Sequence, residues 1–225
     1  MSSRGPRRTV RGLRALALGA PALFVVWWLV TRSDPAPSAY EDALDRALAP
    51  VIAQRDVQAK LRAASSGQAR QLAREFSERS IPYLGPRDLE LWQSIRVRVA
   101  KSSPTACARL WRGGSSDFFG PAVVALHDDA LDLYTEMLGR ALALRLERKP
   151  PPEPAPGALG RGLAAIAALL PEQERASFEA DLKRSDLPDG RACQLFLTIS
   201  TKTEQLEPGQ RSDFLRALAK DLQAP

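Results

Sequence analysis

The chain has 225 residues, of which 44% are hydrophobic and 26% charged, and its formal net charge is +6 with a pI near 9.7. Five arginines and no acidic residue lie within residues 1–14, so 27 basic and 26 acidic residues remain in the rest of the chain. A near-neutral body with interspersed charges does not form the basic surface that phosphate recognition requires, which excludes nucleic acid as a partner.

An uncharged apolar segment, Ala15 to Thr31, follows this basic tail. Its seventeen residues would cover roughly 25 Å as a helix, slightly less than a hydrocarbon core of roughly 30 Å. Arg14 and Arg32 can extend their charged groups toward the two interfaces. Trp27 and Trp28 lie at the distal end, where aromatic rings favour the headgroup boundary. The sequence therefore predicts a transmembrane helix over residues 15–31.

The orientation of this helix follows from the charges on either side of it. The positive-inside rule places residues 1–14 in the cytoplasm and everything after the span on the outer side. A cleaved signal peptide has the same general form, but this apolar run is longer than a usual h-region and ends in bulky residues. The nearest small-x-small sequence, Ala36-Pro37-Ser38, contains proline and follows charged residues. We therefore predict an uncleaved single-pass anchor in a bacterial inner membrane, with a periplasmic C-terminal domain.

Residues 32–39 are predicted to be a linker and residues 40–80 a set of membrane-proximal helices. Ser38 and Glu41 form a capping-box pattern in front of a helix from Tyr40 to about Leu48, and Pro50 should begin or kink the next segment. The apolar stripe of this region is thin. Two arrangements stay open, a stalk or coiled-coil arm and a group of peripheral helices packed on the main domain.

Residues 81–225 are predicted to form a helical periplasmic domain. Apolar residues at helical spacing predict a helix over Arg87–Ala100, although Ile95–Val99 also alternates as an edge strand would. Ser103 and Pro104 supply an N-cap and a first helical residue for the next helix. Arg112–Gly120 is predicted to be a loop, and Pro121–His127 a short helix.

The strongest predicted helix runs from Ala130 to Arg148 and carries two adjacent apolar rows. A proline-rich connector over residues 149–156 separates it from the C-terminal helices, which start near Leu159, at Pro171 and at Pro208. The segment after Arg191 has the composition of a strand but the apolar spacing of a helix, and we predict a helix. The body is therefore predicted to be all-α, with about eight helices.

The only two cysteines occupy similar positions in their predicted helices. Each is followed by large apolar residues at i+3 and i+4, which are Leu110 and Trp111 for Cys107, and Phe196 and Leu197 for Cys193. In an oxidising compartment this arrangement favours a disulfide over two separate buried thiols. The bridge would close a loop of 86 residues and stabilise the fold by roughly 4–5 kcal/mol.

The sequence contains no recognisable catalytic motif. His127 is the only histidine, and no G-x-S-x-G elbow accompanies it. Neither cysteine belongs to a C-x-x-C pair, so a zinc site has too few ligands. The acids Asp128 and Asp129 after His127 are typical of a helix start, and Glu136 should face solvent. We therefore predict no catalytic residue, no metal and no cofactor.

The function that these features favour is a non-enzymatic binding or scaffold component of the bacterial cell envelope. Its partners would be the lipid bilayer and other envelope proteins or the protein itself. Trp111, Phe118 and Phe119 form a candidate partner surface, unless they simply cap the core.

Two alternatives stay open. A periplasmic hydrolase acting on cell-wall glycan or a small molecule would need a concave pocket with two carboxylates of raised pKa. A helical ligand-binding domain would need a ligand-sized cavity lined by apolar side chains. The scaffold interpretation instead predicts an exposed apolar patch or groove.

Overall fold

Helices account for all the regular secondary structure in the computed structural model, which describes residues 38–53, 76–113, 116–147 and 150–222. Within these residues there are nine α-helices with described bounds, a further helical stretch at residues 76–78, one 3-10 helix and no strand, which confirms the predicted all-α class. The chain divides into two units, Met1–Pro37 and Ser38–Pro225, and all described residues belong to the second.

The α-helices are numbered in chain order. They are α1 (Ala39–Ile52), α2 (Pro86–Ser102), α3 (Pro104–Trp111), α4 (Ser116–Val124), α5 (Ala130–Leu146), α6 (Ala158–Ala168), α7 (Glu172–Asp181), α8 (Asp189–Thr203) and α9 (Pro208–Asp221), and the 3-10 helix covers Ile81–Tyr83.

The predicted span over residues 15–31, with Arg14, Trp27, Trp28 and Arg32, lies outside the described residues. Residues 54–75 also lie outside them. Among the helices that the structure does describe, none has both the length and the apolar character that a membrane crossing requires.

Helix α1 begins with the predicted capping box. The Glu41 amide donates to Ser38 Oγ at 3.3 Å, and the Ser38 amide donates to Glu41 Oε2 at 2.8 Å. The predicted helix end near Leu48 is wrong, because α1 continues through Pro50 to Ile52. Leu48 and Val51 are both buried in the shared core, and this packing holds the last turn together despite the proline.

Helix α1 packs along α5. The described part of residues 40–80 is therefore packed on the main domain, which is one of the two arrangements that the sequence left open. Gly139 of α5 makes the approach close: a Cβ at this position would lie 2.9 Å from the carbonyl oxygen of Ala47. Tyr40 stacks on Tyr134 with ring centres 6.3 Å apart. Burial raises the pKa of Tyr134 well above its ordinary value, so the phenol stays neutral in this contact.

The predicted loop over Arg112–Gly120 is partly wrong, because α4 already starts at Ser116 and includes Pro121. Tertiary packing explains the difference. Phe119 is buried with its ring edge against Tyr134, 5.0 Å between centres, and Gly120 lies directly under the Tyr40 ring. Burial of these aromatic contacts outweighs the unfavourable helix propensity of glycine and proline.

Helix α2 lies at the centre of the domain and packs against α3, α4, α5, α8 and α9. Its side chains Leu89, Ile95 and Val99 are completely buried, and the alternating segment Ile95–Val99 is helical as predicted. The uncertain segment after Arg191 is also helical, as α8, because Leu195, Phe196 and Ile199 all reach the core from one face.

The remaining predicted helix starts are close to those observed. Ser103 Oγ accepts from the Ala106 amide at 3.4 Å in front of α3, and Pro208 is the first residue of α9. Pro171 precedes α7 as its N-cap instead of opening it. Residues 150–155 of the proline-rich connector carry no regular secondary structure, as predicted.

Candidate functional site

A disulfide joins α3 to α8. The sulfur atoms of Cys107 and Cys193 are bonded at 2.05 Å, and their Cα atoms lie 4.9 Å apart. Both cysteines lie on the inward faces of their helices, so the predicted pairing is confirmed. The two residues differ in their surroundings, since Cys107 is completely buried whereas Cys193 is partly exposed.

A concave surface formed by described residues lies beside this disulfide, between α7 and α8 and over the end of α6. It consists of two adjoining cavities of about 210 and 500 Å³ that both open to solvent and share four lining residues. We call this surface the α7–α8 cleft. Its lining includes Leu170, Glu174, Phe178, Asp181, Arg191, Cys193, Gln194, Leu197, Thr198, Thr201 and Lys202.

The floor of the cleft is apolar and its charges are mostly balanced within it. Leu170 and Phe178 are buried at the floor. Arg191 Nη2, at the start of α8, donates to Asp181 Oδ2 at the end of α7. This pair joins the end of α7 to the start of α8, and Glu174 and Lys202 also line the cleft.

Arg175 fixes the wall of the cleft at the end of α6. Its Nε donates to the carbonyl oxygen of Ala167 at 3.1 Å, and its Nη2 donates to those of Ala168 and Leu170 at 3.4 Å. Ala167 and Ala168 end α6 and Leu170 follows it, so Arg175 caps the C-terminal end of this helix, where the Ala167 carbonyl also accepts from the Leu170 amide at 3.1 Å. Leu169, beside them, keeps 39% of its surface exposed.

A buried polar network centred on Arg96 joins the helices that carry the disulfide. Arg96 Nη1 donates to Gln93 Oε1 at 3.2 Å, and Gln93 Nε2 donates to Ser200 Oγ at 2.7 Å. Arg96 Nη2 also donates to the carbonyl oxygen of Leu110 at 3.5 Å, at the end of α3. Burial lowers the pKa of Arg96 to about 10. This network links α2, α3 and α8 from inside.

Sequence reasoning missed this network, although a signal was available. Arg96 lies between Ile95 and Val97, and its i+3 and i−4 neighbours Val99 and Trp92 are buried with it. A charged residue on an apolar helix face indicates a buried cation that needs specific partners. Those partners come from α3 and α8, and only the fold identifies them.

The cluster around His127 is a helix start, as the sequence indicated. His127 has a positive φ of 53°, and Asp128 Oδ1 accepts from the Ala130 amide at 2.8 Å. Arg98 pairs with Asp128 and, at 2.7 Å, with Asp129. The hydrogen bond from Arg98 lowers the pKa of Asp128 below its ordinary value. These acids are therefore engaged in holding the start of α5 against α2.

The other residues singled out from the sequence lie outside the α7–α8 cleft. Phe119 is buried, and Trp111 and Phe118 are partly buried against the core, with the guanidinium of Arg109 4.9 Å from the Phe118 ring centre. Glu136 has 65% of its side chain exposed and lies 3.9 Å from Arg140. Phe119 therefore belongs to the core, whereas Trp111 and Phe118 pack against it and keep part of their surface exposed.

No group of three or more His, Cys, Asp or Glu side chains within the described parts of the chain could hold a metal ion. No family model matches the chain, and neither a curated protein nor a solved structure matches it.

Proposed function

We propose that the protein is a single-pass component of a bacterial inner membrane, with its N-terminus in the cytoplasm and a periplasmic helical domain that binds other envelope proteins. The anchor rests on the apolar segment over residues 15–31 and the arginines before it. The observation that carries the compartment is the Cys107–Cys193 disulfide, because such bonds persist outside the reducing cytosol.

The binding surface in this proposal is the α7–α8 cleft, and its occupant is an uncharged apolar segment of another envelope protein. The larger cavity supplies apolar area that a partner can bury, because Cys193 and Leu197, which line it, are only partly buried. The Asp181–Arg191 pair already compensates its own charges, so a charged segment would gain no ion pair there. An uncharged segment therefore suits a surface whose charges are already paired with each other.

The hydrolase alternative has weaker support. Glu174 and Asp181 both line the cleft, and they are seven positions apart on α7, which is roughly 10 Å along the helix axis. Asp181 is largely buried and accepts from Arg191, so its carboxylate is not free to transfer a proton to a substrate. A small-ligand receptor also fits less well, because the cleft opens to solvent instead of enclosing a ligand.

Reporter fusions test the topology. An enzyme that folds only in the periplasm, fused after Pro225, should be active, and a cytosol-dependent reporter at the same place should be silent. A matched fusion in which the arginines at positions 4, 7, 8 and 11 are replaced by glutamine should lose this preference. Cytosolic activity of the wild-type C-terminal fusion would overturn the proposed compartment.

Site-specific photocrosslinking in living cells tests the binding surface. A photoreactive residue at Thr201, which is exposed in the cleft, should capture a partner whose crosslinked peptide is apolar and uncharged. The same residue at Glu136, exposed on α5, is the control and should not capture it. A highly charged crosslinked peptide would contradict the proposed occupant, and capture of a second copy would replace it with self-association.

A further inference from the structure

The two cysteines of the disulfide are not equally exposed. Cys107 lies on α3 with none of its surface exposed, covered by the packing of α2 and α8. Cys193 lies on α8, is partly exposed, and lines the larger cavity of the α7–α8 cleft. A reagent arriving from solvent therefore meets Cys193 first.

The cleft leaves room for a sulfur-bearing group beside Cys193. The cavity of about 500 Å³ there is open, and Gly190, one turn earlier on α8, also lines it. A Cβ placed on Gly190 would meet no atom within 4 Å, so this approach is unobstructed. In thiol–disulfide exchange the attacking sulfur must approach the sulfur atom with which it forms the new bond. Attack therefore occurs at the sulfur that is open to solvent.

We propose that Cys193 is the thiol-exchange site of this protein, the sulfur with which small thiols and thiol–disulfide oxidoreductases form their mixed disulfide. In reduction, an external thiolate bonds to Cys193 Sγ, the bond to Cys107 breaks, and Cys107 leaves as a thiolate that takes up a proton. In oxidation, the Cys193 thiolate attacks the disulfide of the oxidant. The Cys107 thiolate then attacks Cys193 Sγ and releases the reduced oxidant.

Leu197 controls access to this sulfur. It follows Cys193 by four residues on α8, lines the same cavity and is partly exposed. Helical side chains tilt toward the N-terminus, so the Leu197 side chain lies over the turn that contains Cys193. Leu133, a partly buried leucine on α5 that lies outside the cleft, provides a matched control.

The test uses the full-length oxidised protein and reduced glutathione. After brief exposure, acid quenching, alkylation and digestion, mass spectrometry locates the glutathione. We expect it on Cys193 over Cys107 by at least about tenfold, since only the accessible sulfur is attacked at an appreciable rate. Leu197→Ala should speed adduct formation by about threefold or more, and Leu133→Ala should leave the rate unchanged. Equal labelling of both cysteines, or labelling mainly on Cys107, would overturn the proposal.

Single-cysteine variants give a second measurement. Cys107→Ala leaves Cys193 free, and Cys193→Ala leaves Cys107 free. Under native conditions the Cys193 thiol should react with an aromatic disulfide reagent at least about 100-fold faster than the Cys107 thiol, and guanidinium should abolish this difference. A native Cys107 thiol that reacts as fast, in a variant whose circular dichroism remains helical, would refute the assignment. Neither experiment depends on the proposed compartment or partner.

Discussion

The guanidinium carbon of Arg96 lies 4.6 Å from the centre of the Trp92 ring, and both side chains are almost completely withdrawn from solvent. The Phe196 ring centre lies 5.2 Å away from the same carbon. Arg96 is thus a cation packed among aromatic rings, and its hydrogen bonds go to neutral acceptors on Gln93 and Leu110. Burying a cation costs desolvation free energy, which the hydrogen bonds and the contacts with the aromatic rings must offset.

Arg96 is expected to matter more for its volume than for its charge. Arg96→Met keeps most of the packing and removes the cost of burying a cation, so we expect a loss of at most about 1.5 kcal/mol in the free energy of unfolding. Arg96→Ala also leaves a cavity, and should cost about 3–4 kcal/mol. Denaturant titration of the full chain measures both. A methionine variant as unstable as the alanine variant would mean that the charge itself stabilises the fold.

Gly139 is expected to tolerate no side chain. Gly139→Ala would place its Cβ 2.9 Å from the backbone of Ala47, so α1 and α5 must separate, at a cost of about 1–3 kcal/mol. Gly160→Ala is the matched control in helix α6, because a Cβ there meets nothing within 4 Å. That variant should be more stable than wild type by about 0.5–1 kcal/mol. A stabilising Gly139→Ala variant would show that the two helices do not approach this closely.

The disulfide is expected to contribute a large share of the stability. Replacing both Cys107 and Cys193 by alanine removes a constraint on a loop of 86 residues and should lower the free energy of unfolding by roughly 4–5 kcal/mol. Reduction of the wild-type protein should have a similar effect, measured by denaturation with and without reductant. A double variant within about 1 kcal/mol of wild type would show that packing alone holds α3 to α8.

The ion pair between Arg98 and Asp128 is expected to make stability depend on acid pH. Because the folded-state pKa of Asp128 is lowered, its contribution is fully present above its ordinary pKa and disappears as pH falls through the lowered value. Asp128→Asn keeps an acceptor for the Ala130 amide and removes only the charge. Its thermal midpoint should lie slightly below that of wild type near pH 7, and the two midpoints should converge as the pH falls through the lowered pKa of Asp128.

The control for this measurement is Asp132→Asn. Asp132 is exposed in the first turn of α5 and forms no ion pair with any residue that the structure describes. The thermal midpoint of this variant should therefore differ less from that of wild type, and the difference should depend less on pH. An Asp128→Asn variant whose deficit persists unchanged into strong acid would rule out the charge pair as the cause.

Local pattern was sufficient for much of the helical structure. The capping box at Ser38 and Glu41 and the N-cap at Ser103 act through neighbouring residues, so their chemistry is visible in the sequence. The matched apolar offsets after Cys107 and Cys193 likewise placed both sulfurs on inward helix faces. Apolar spacing within one helix predicts which face is buried, and this prediction does not require knowing which helix packs against that face.

The α7–α8 cleft could not be predicted in this way. Its lining comes from the end of α6, from α7 and from α8, and an ion pair between Asp181 and Arg191 sets how the last two helices meet. The extent of α4 was also decided by distant residues, since Tyr40 covers Gly120 from α1. Side-chain contacts across helices depend on register and approach distance, which sequence spacing does not encode.

The sequence by itself determined the helical class, the near-neutral charge of the body and the placement of both cysteines where a bridge could form, because each depends on composition or on spacing within one helix. The tertiary structure alone decided that Arg96 would be buried among neutral partners and that Cys193 would face a cleft while Cys107 would not. Those features arise from the side chains that neighbouring helices bring together, and these are remote from one another along the chain.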